Sequence, residues 1–312
     1  MTTVRCLHSL ALLLIGLWAA LHWGASAQTA PEHTPTADTP WAVAVAGHTK
    51  VGTARRIISL APHLTELVYA AGAGARLVAV SRYSDQPEAA RNLPIVSDAF
   101  AINLEAVRAQ RPDLVLLWRS GTAQRQRQAL LALAQREGFA VIDTEIRSVP
   151  DIAQVLAHIG TWAGTQAQAA SQAQALLTQW AALGQRYRQA VPVRVFFQLW
   201  DAPLMTLNSQ HLINQALGAC GAVNGFAHLA PLTPTVSREA VLAFNPQLIV
   251  TDQPAPEQAL AAWRALPQIE AVQRNQLKGL RGDALTRMGP RFVQAAEQLC
   301  ALIDAARPSV PR

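Results

Sequence analysis

The sequence predicts an α/β protein made of two similar lobes, and three observations indicate this fold class. From Arg56 onward, short apolar runs alternate with helix-forming stretches, as strands alternate with crossover helices. Residues 104–118 and 238–252 repeat one pattern, in which Glu-Ala-Val precedes a proline and a short apolar run. Residues 165–190 contain no proline and have high helix propensity, so they can form one long helix between the lobes.

The first lobe is predicted over residues 54–163. Its strands are RIISLA, RLVAVS, DLVLLW and FAVIDTE, and its helices are HLTELVYAAGA, NLEAVRAQ and residues 124–136. Gly72 and Gly74 can end the first helix, because glycine adopts left-handed backbone at little steric cost. Pro112 ends NLEAVRAQ, and the near-continuous apolar run of DLVLLW is typical of a strand covered on both faces of its sheet.

A connecting helix is predicted over residues 164–190 and a second lobe over residues 191–312. An ordinary surface helix is the alternative, but this length is uncommon for one and favours a connection. In the second lobe, RVFFQLW, HLINQALGACG, SREAVLAF and PQLIVTD resemble the order of the first. Glu105 and Glu239 occupy the same place in the two repeated units, so we expect lobes related by an approximate two-fold.

Residues 1–27 have the layout of a secretory signal peptide. Arg5 precedes an apolar run at 10–21, and Ala-Ser-Ala at 25–27 fits a cleavage site. A membrane anchor is the alternative, but the apolar run is shorter than the roughly 20 residues that a spanning helix needs. Residues 28–53 are rich in Thr, Pro and Ala without periodicity and are interpreted as a flexible leader. We therefore expect a soluble exported protein.

The charge of the chain argues against a nucleic-acid partner. The formal net charge is +6, of which Arg5 would be lost with the signal peptide, and only 15% of the residues are charged. Basic residues are scattered apart from a local group of Arg119, Arg125 and Arg127. A mild excess of this kind usually forms a solvated face, so no nucleic-acid binding is expected.

Two open α/β lobes that face each other form a cleft, since ligands of such sheets bind beyond the carboxyl ends of the strands. The loops after RIISLA, RLVAVS, DLVLLW, RVFFQLW and PQLIVTD would line this cleft. Tyr83, Trp118 and Trp200 lie in or beside these loops and could form flat apolar walls for a bulky ligand. Packing in the core is the alternative for each of them.

The sequence contains no pattern that predicts catalysis. There is no G-x-S-x-G elbow, and the glycines of AGAGA at 71–75 end a helix where a dinucleotide-binding motif would begin one. C-x-x-C and H-E-x-x-H are absent as well. His63 and His211 follow the first strand of each lobe and could share a metal, although such residues more often simply start a helix. We expect no enzyme, no resident cofactor and no metal.

Cys220 and Cys300 are the cysteines that remain after residue 27, and they suggest one disulfide in an oxidising compartment. The bond would close a long loop within the second lobe and restrict the unfolded chain. Two separate buried thiols are the alternative.

The runs RIISLAPHLTELVYAAGAGARLVAVSRYSD and INLEAVRAQRPDLVLLWRSGT resemble the periplasmic iron-siderophore and cobalamin-binding family, which supplies ABC importers. The resemblance continues through RVFFQLWDAPLMT, ACGAVNGF, VSREAVL and AAEQLCALI and covers nearly the whole chain from Arg56. Within the family, the chain is most similar to the cobalamin (vitamin B12)-binding component. The resemblance implies a class III periplasmic binding protein, with two Rossmann-like lobes and one rigid helix, that carries a corrinoid in the periplasm as a monomer.

The resemblance also implies a role for the repeated glutamates. In this family a glutamate on each lobe docks into basic residues of the ABC permease dimer in the inner membrane. These glutamates correspond to Glu105 in NLEAV and Glu239 in SREAV. A solvated helix residue is the alternative at both positions. The family's disulfide joins cysteines that correspond to Cys220 and Cys300.

Ligand-binding residues follow from the same resemblance. Two aromatics of the family's cobalamin pocket correspond to Tyr83 and Trp118. Three others are replaced here, by Ala99 beside a phenylalanine, by Met205 and by Thr233. Two polar positions could hydrogen-bond the corrin amides across the cleft, or could form a surface ion pair spaced i to i+4. The expected ligand-binding residues are Tyr83, Phe100, Trp118, Trp200, Met205, Asp283 and Arg287.

The replaced aromatics leave other functions open. A haem or iron-siderophore binding protein of the same fold is compatible with them and with His63 and His211. A periplasmic enzyme of α/β fold would need a nucleophile beside a base, and a metallocluster scaffold would need cysteine ligands. The sequence shows neither of these features.

Overall fold

The computed structural model describes residues 39–45 and 47–308, so the predicted signal peptide at 1–27 lies outside the described residues. The strands are β1 (Trp41–Val45), β2 (Ile57–Ser59), β3 (Leu77–Ser81), β4 (Ile95–Ser97), β5 (Leu114–Trp118), β6 (Ala140–Thr144), β7 (Val193–Phe197), β8 (Trp200–Asp201), β9 (Leu204–Met205), β10 (Ala222–Val223), β11 (Leu248–Thr251) and β12 (Leu277–Gly279). The α-helices are α1 (Pro62–Ala70), α2 (Leu104–Ala109), α3 (Gln124–Glu137), α4 (Val149–Ala163), α5 (Gln166–Tyr187), α6 (Leu212–Ala219), α7 (Arg238–Phe244), α8 (Pro256–Ala259), α9 (Glu270–Gln273) and α10 (Phe292–Ala305). Among these helices, none combines the length and the apolar character that crossing a membrane requires.

Two sheets organise the chain into two lobes. The first lobe is built on a six-stranded sheet of order β1-β6-β5-β2-β3-β4, in which every pair is parallel except β1 with β6. The second lobe is built on a parallel four-stranded sheet of order β10-β7-β11-β12, next to the antiparallel hairpin β8-β9. The predicted α/β fold class is therefore confirmed, whereas the residue limits of the lobes stay predictions.

Strand β1 lies in the stretch that the sequence predicts to be a flexible leader, so that prediction is wrong for residues 41–45. The strand pairs with β6, with Trp41 opposite Thr144. Trp41 also stacks on His158, with ring centroids 3.3 Å apart. The physical reason is local, because WAVAV is a short apolar run of the kind that forms strands, and the Thr, Pro and Ala around it hide this signal. Residues 28–38 of the predicted leader lie outside the described part of the chain.

Alternate residues of each central strand face different cores. In β5, Leu114 and Leu116 belong to one buried cluster, and Val115 and Leu117 belong to another. The strands β7 and β11 show the same alternation. Because successive side chains of a strand point to opposite faces, each sheet is covered by helices on both faces. The first cluster continues from the first sheet through α1, α4, α5, α6 and α10 to the second sheet, so the lobes share one core.

Helix α5 joins the two lobes. Its 22 residues span about 33 Å at 1.5 Å per residue. It begins shortly after Gly164, which ends α4 in left-handed backbone with a φ of 70°. It packs against α1 and α4 in the first lobe and against α6 and α10 in the second. The prediction of one long connecting helix is confirmed, with ends at Gln166 and Tyr187.

The repeated sequence unit forms the same structure in both lobes. Asn103 and Ser237 cap the following helix by accepting a hydrogen bond from the backbone N–H of Ala106 at 3.0 Å and of Ala240 at 3.2 Å. The capped helices α2 and α7 lead into β5 and β11. These strands pair in parallel with β2 and β7, respectively, so the repeat places two equivalent helix starts on the two lobes.

Cys220 and Cys300 form a disulfide with an S–S distance of 2.01 Å, which confirms the predicted pairing. The bond joins the end of α6 to α10 across 80 residues of sequence. Both cysteines are fully buried in the shared core. The bond thus fixes two helices that pack against α5.

Replacement of both cysteines by alanine should lower the free energy of unfolding by about 4 kcal/mol, because a crosslink over a loop of this length restricts the unfolded chain. Urea denaturation of the double variant and the wild type at pH 7 measures the difference. A loss below about 1 kcal/mol would contradict this expectation and show that the packing of α6 on α10 needs no covalent support.

Candidate ligand-binding cleft

A cleft of ≈ 800 Å³ lies between the lobes and is the candidate binding site. The first lobe contributes the end of β5 and residues that follow β5 and β6, and the second contributes the start of α6, the loop before α7 and the loop before α10. This position beyond strand ends is where open α/β sheets bind ligands, and the volume is near the upper limit of about 1,000 Å³ for small-molecule sites. The lining residues are Trp118, Ser120, Glu145, Ile146, Arg147, Ser148, Gln210, His211, Leu212, Gln215, Leu232, Leu285, Thr286 and Met288.

The lining combines apolar walls with mostly uncharged polar groups. Its charged members are Glu145 and Arg147, which carry opposite signs. Glu145 accepts a hydrogen bond from the backbone N–H of Ser120 at 3.0 Å. Gln215 of the second lobe donates from Nε2 to the backbone carbonyl of Arg147 in the first lobe at 2.8 Å. The cleft is therefore close to neutral, and amide and hydroxyl groups supply most of its donors and acceptors.

Trp118 and His63 contact each other at the wall of the cleft that belongs to the first lobe. Their rings make an edge-to-face contact with centroids 5.3 Å apart. Trp118 Nε1 and His63 Nε2 are buried and have no hydrogen-bond partner among the described residues. Burial, followed by the charge of Arg287, lowers the pKa of His63 to about 3, so this imidazole is neutral at physiological pH. Two buried polar atoms without partners beside a cleft wall leave hydrogen-bonding capacity that a ligand or a water molecule could satisfy.

His211 lies at the opposite wall and begins α6. Its Nδ1 accepts a hydrogen bond from the backbone N–H of Ile213 at 3.2 Å. Burial lowers the pKa of His211 to about 4, and the neutral ring then carries its proton on Nε2 and can donate a hydrogen bond. Within residues 39–45 and 47–308, no three or more His, Cys, Asp or Glu side chains come together in a group that could hold a metal ion.

Asp252 is a further candidate, which sequence reasoning missed. It lies six residues after the proline of its repeated unit, as Trp118 does in the first lobe, and the repeat is the signal that could have found it. Its Oδ2 is buried and has no partner within the described chain. Burial raises the pKa of Asp252 to about 6, against the lowering effects of its own backbone N–H and of the nearby Thr286, which lines the cleft. The two lobes thus place one unpartnered donor and one unpartnered acceptor at equivalent strand ends.

Acidification should destabilise the protein between pH 6.5 and 5. Burial lowers the pKa of His63 to about 3 and those of His158 and His211 to about 4. Between those values and their ordinary pKa, the unfolded state binds more protons than the folded state, so stability is full above pH 6.5 and falls below it. Each histidine contributes a loss of roughly 2 kcal/mol by pH 5. The raised pKa of Asp252 acts in the opposite direction below about pH 6 and offsets part of this loss.

Chemical denaturation at pH 7, 6 and 5 measures this dependence. The variant His63→Gln, which does not titrate, should lose less stability than the wild type between pH 6.5 and 5, by roughly 2 kcal/mol. An unchanged pH dependence in this variant would show that folding does not lower the pKa of His63.

Of the predicted ligand-binding residues, only Trp118 lines this cleft in the structure. Tyr83 is 71% exposed on the loop after β3, has a φ of 66° and lines a separate depression of ≈ 180 Å³. Phe100 is 85% exposed in the turn before α2. Trp200, which is 52% exposed, and Met205 lie opposite each other in the β8-β9 hairpin. These four residues therefore lie on loops and a hairpin outside the cleft itself.

Asp283 and Arg287 also lie outside the cleft lining. They form the ion pair expected from their i to i+4 spacing, with 2.5 Å between Arg287 Nη2 and Asp283 Oδ2. Arg287 is also paired with Glu66 and Asp85 of the first lobe. Its guanidinium is thus engaged by three carboxylates, and its charge is neutralised before any ligand arrives. No local pattern in the sequence indicates the two distant partners.

Glu105 and Glu239 occupy equivalent exposed positions. Each is the second residue of its helix, α2 or α7, directly after the capped helix start. Neither carboxylate forms an ion pair with a residue of the described chain. Hydrogen bonds from its own backbone N–H and from Ser237 lower the pKa of Glu239, so this group is ionised. The lobes therefore present two acidic groups to solvent from matching positions.

Comparison with known proteins identifies relatives over most of the chain. The sequence model of the periplasmic binding protein family matches residues 57–284. A vitamin B12-binding protein of Vibrio cholerae is 36% identical over 260 residues, which cover 81% of this chain and 91% of that protein. A vitamin B12-binding protein of Photorhabdus laumondii is 36% identical over 249 residues, which cover 80% of this chain and 88% of the relative.

Solved structures share the same architecture. The periplasmic vitamin B12-binding protein of Vibrio cholerae has a TM-score of 0.73 and 35% identity, and the match covers 81% of this chain and 98% of that one. The periplasmic haem-binding protein of Vibrio cholerae has a TM-score of 0.69 over 79% of this chain and 98% of its own, but at 23% identity it shows the fold alone. With a family model that spans most of the two lobes, this chain belongs to the periplasmic binding protein family.

Proposed function

We propose that this protein captures cobalamin or a related corrinoid in the cleft between its lobes and delivers it to an ABC permease in the inner membrane. It acts as a periplasmic monomer, catalyses no reaction and carries the corrinoid as cargo, not as a cofactor. Relatives that are named vitamin B12-binding proteins, at 36–37% identity, support this function.

The chemistry of the cleft carries the proposal. A corrinoid is a large ligand with a broad apolar face and many neutral amide side chains, so it needs a flat wall together with both donors and acceptors. Trp118 supplies an aromatic wall, and Gln210, Gln215 and Thr286 supply neutral polar groups in the lining. The unpartnered Nε1 of Trp118 is available as a further donor.

The exposed residues outside the cleft fit the same ligand. A corrinoid is larger than a drug-sized ligand, and a cleft of ≈ 800 Å³ would leave part of it outside. We propose that Tyr83, Phe100, Trp200 and Met205 contact this outer part. Their exposure in the free protein leaves apolar surface that a ligand can cover.

Haem is the alternative ligand, and the neutral His63 and His211 favour it as possible iron ligands. Haem carries two carboxylates, however, which require cationic partners. Arg147 is the cation of the cleft lining, whereas Arg287 and Arg291 are already paired with carboxylates. This charge distribution favours the neutral corrinoid.

Calorimetric titration of the purified protein with cyanocobalamin, cobinamide, haemin and a ferric siderophore tests the proposal. We expect one-to-one binding of the corrinoids and no heat from the other two ligands. Binding of haemin, together with no binding of either corrinoid, would overturn the assignment of a corrinoid as the ligand and leave the fold assignment unchanged.

A further inference from the structure

A cluster of five charged residues connects the two lobes. Glu66 on α1 and Asp85 on the loop after β3 belong to the first lobe, and Asp283, Arg287 and Arg291 belong to the loop before α10 in the second. We call this group the interlobe cluster. It lies outside the cleft lining, and none of its members takes part in the repeated sequence unit.

Glu66 and Arg291 form a bidentate contact between the lobes within the interlobe cluster. Arg291 Nε lies 2.9 Å from Glu66 Oε2, and Nη2 lies 2.7 Å from Oε1. The guanidinium therefore donates a hydrogen bond to each carboxylate oxygen. Hydrogen bonding to Glu66 raises the pKa of Arg291. The Glu66 side chain is only 3% exposed, so water cannot replace the arginine without a large change in structure.

Arg287 extends the contact to a second segment of the first lobe. Its Nη1 lies 3.3 Å from Glu66 Oε1 and 2.7 Å from Asp85 Oδ1, while Nη2 pairs with Asp283 at 2.5 Å. The backbone between the two arginines also approaches the first lobe closely, because a Cβ added at Gly289 would lie 3.2 Å from Glu66 Oε2. The lobes therefore touch here through paired charges and backbone together.

The interlobe cluster also reaches the turn that carries Tyr83. The backbone N–H of Asp85 donates to the carbonyl of Tyr83 at 3.0 Å, and Tyr83 has a left-handed φ of 66°. That conformation is unfavourable for a bulky aromatic residue and persists only where neighbouring contacts hold it. The ion pair between Asp85 and Arg287 is such a contact, since it ties this turn to the opposite lobe.

We propose that Glu66, Arg287 and Arg291 are positioning residues, which fix the separation of the cleft walls and the turn of Tyr83 before the ligand arrives. This proposal rests on the proposed function for its purpose, because a pre-set cleft loses less freedom when it binds a large ligand. It assigns Arg287 to the contact between the lobes and not to the corrin amides.

Double electron–electron resonance between spin labels on the two lobes tests the proposal without any ligand. Gln135→Cys on α3 and Gln258→Cys on α8 place labels at exposed sites of the first and second lobe, away from the interlobe cluster. The protein with Glu66 intact should give one narrow distance peak. Glu66→Gln should lose this single peak and give a broad distribution, because both arginines then lose their shared carboxylate.

Glu270→Gln is the matched control. Glu270 also pairs with two arginines, Arg194 at 2.8 Å and Arg274 at 3.1 Å, but all three residues lie in the second lobe. Its loss should leave the distance peak as narrow as in the wild type. A control that broadens the peak equally would show that general destabilisation, not the contact between lobes, sets the distribution.

Arg291→Lys keeps the test decisive if Glu66→Gln does not fold. Lysine retains a positive charge beside Glu66 but cannot contact both carboxylate oxygens, so the lobes should hold together more loosely. We expect a distribution wider than the wild type in this variant and a faster dissociation of cyanocobalamin. A narrow, unshifted peak in each folded variant would overturn the positioning role.

The distance measurement separates this proposal from the proposed function. If the wild type binds no corrinoid but the peak broadens in Glu66→Gln, the positioning role stands and the ligand assignment fails. If the wild type binds cyanocobalamin and the peak does not respond to either variant, the ligand assignment stands and the interlobe cluster has no positioning role.

Discussion

A variant with both Glu105→Arg and Glu239→Arg should bind cyanocobalamin as the wild type does and fail to support its uptake. The two carboxylates lie on helix starts outside the cleft lining, so their replacement leaves the proposed ligand contacts intact. The proposed docking pairs each carboxylate with basic residues of the permease. Breaking such a buried interfacial charge pair would cost about 2–5 kcal/mol, and an introduced arginine would add repulsion. Uptake of radiolabelled cyanocobalamin, in cells that carry the matching permease and lack their own binding protein, should fall to the background.

The matching positions of the two glutamates explain why both are expected to act. Each one follows a capped helix start in the same repeated unit, and each unit belongs to a different lobe. A partner with two-fold symmetry carries the same basic surface twice and can therefore meet both glutamates in the same way. A single reversal should therefore weaken uptake less than the double variant does.

Glu88→Arg with Glu257→Arg is the matched control for this experiment. Both residues are exposed acidic groups in the first turn of a short helix, one in each lobe. The control changes the net charge by the same amount and costs a similar loss at helix starts, about 0.3–1 kcal/mol each. It should support normal uptake. Normal uptake in the Glu105 and Glu239 double variant would instead rule out these residues as the docking contacts.

Local chemistry explains which parts of the fold could be predicted from the sequence. The apolar run after Pro112 forms β5, because proline stops a helix and a doubly covered strand needs apolar side chains on both faces. The disulfide between Cys220 and Cys300 could be predicted because only two cysteines remain in a chain that the sequence predicts to be exported. Strand β1 was missed because a short apolar run is a weak signal inside a Thr-, Pro- and Ala-rich segment.

The candidate site was harder to predict because its contacts join residues distant in sequence. Arg287 meets Glu66 across 221 residues and Asp85 across 202 residues, and no helical or strand periodicity encodes such a pair. Trp118 could be placed at the cleft because it ends a recognisable strand. Phe100 shows the opposite case, since its position beside the family's aromatic says nothing about its exposure in a turn.

Trp118→Ala should weaken cyanocobalamin binding by about 100-fold. Removing the indole takes away an apolar wall that would cover on the order of 100 Å² of ligand surface, which corresponds to about 2.5 kcal/mol. It also removes Nε1, a buried donor without a partner among the described residues, which a corrin amide can satisfy. Calorimetric titration at pH 7 measures the change, and a shift of 1.4 kcal/mol corresponds to tenfold in Kd.

Two further variants separate the contributions of Trp118. Trp118→Phe keeps an aromatic wall and loses only the donor, so it should weaken binding by roughly tenfold or less. Gly121→Ala should act in the same direction as Trp118→Ala, because an added Cβ would collide with the indole ring and displace it from the cleft wall. Trp41→Ala serves as the control, since Trp41 stacks on His158 beside the edge strand and is absent from the cleft lining. Full affinity in both Trp118 variants would mean that the ligand binds elsewhere, and the exposed aromatics Tyr83, Phe100 and Trp200 would then be the residues to replace next.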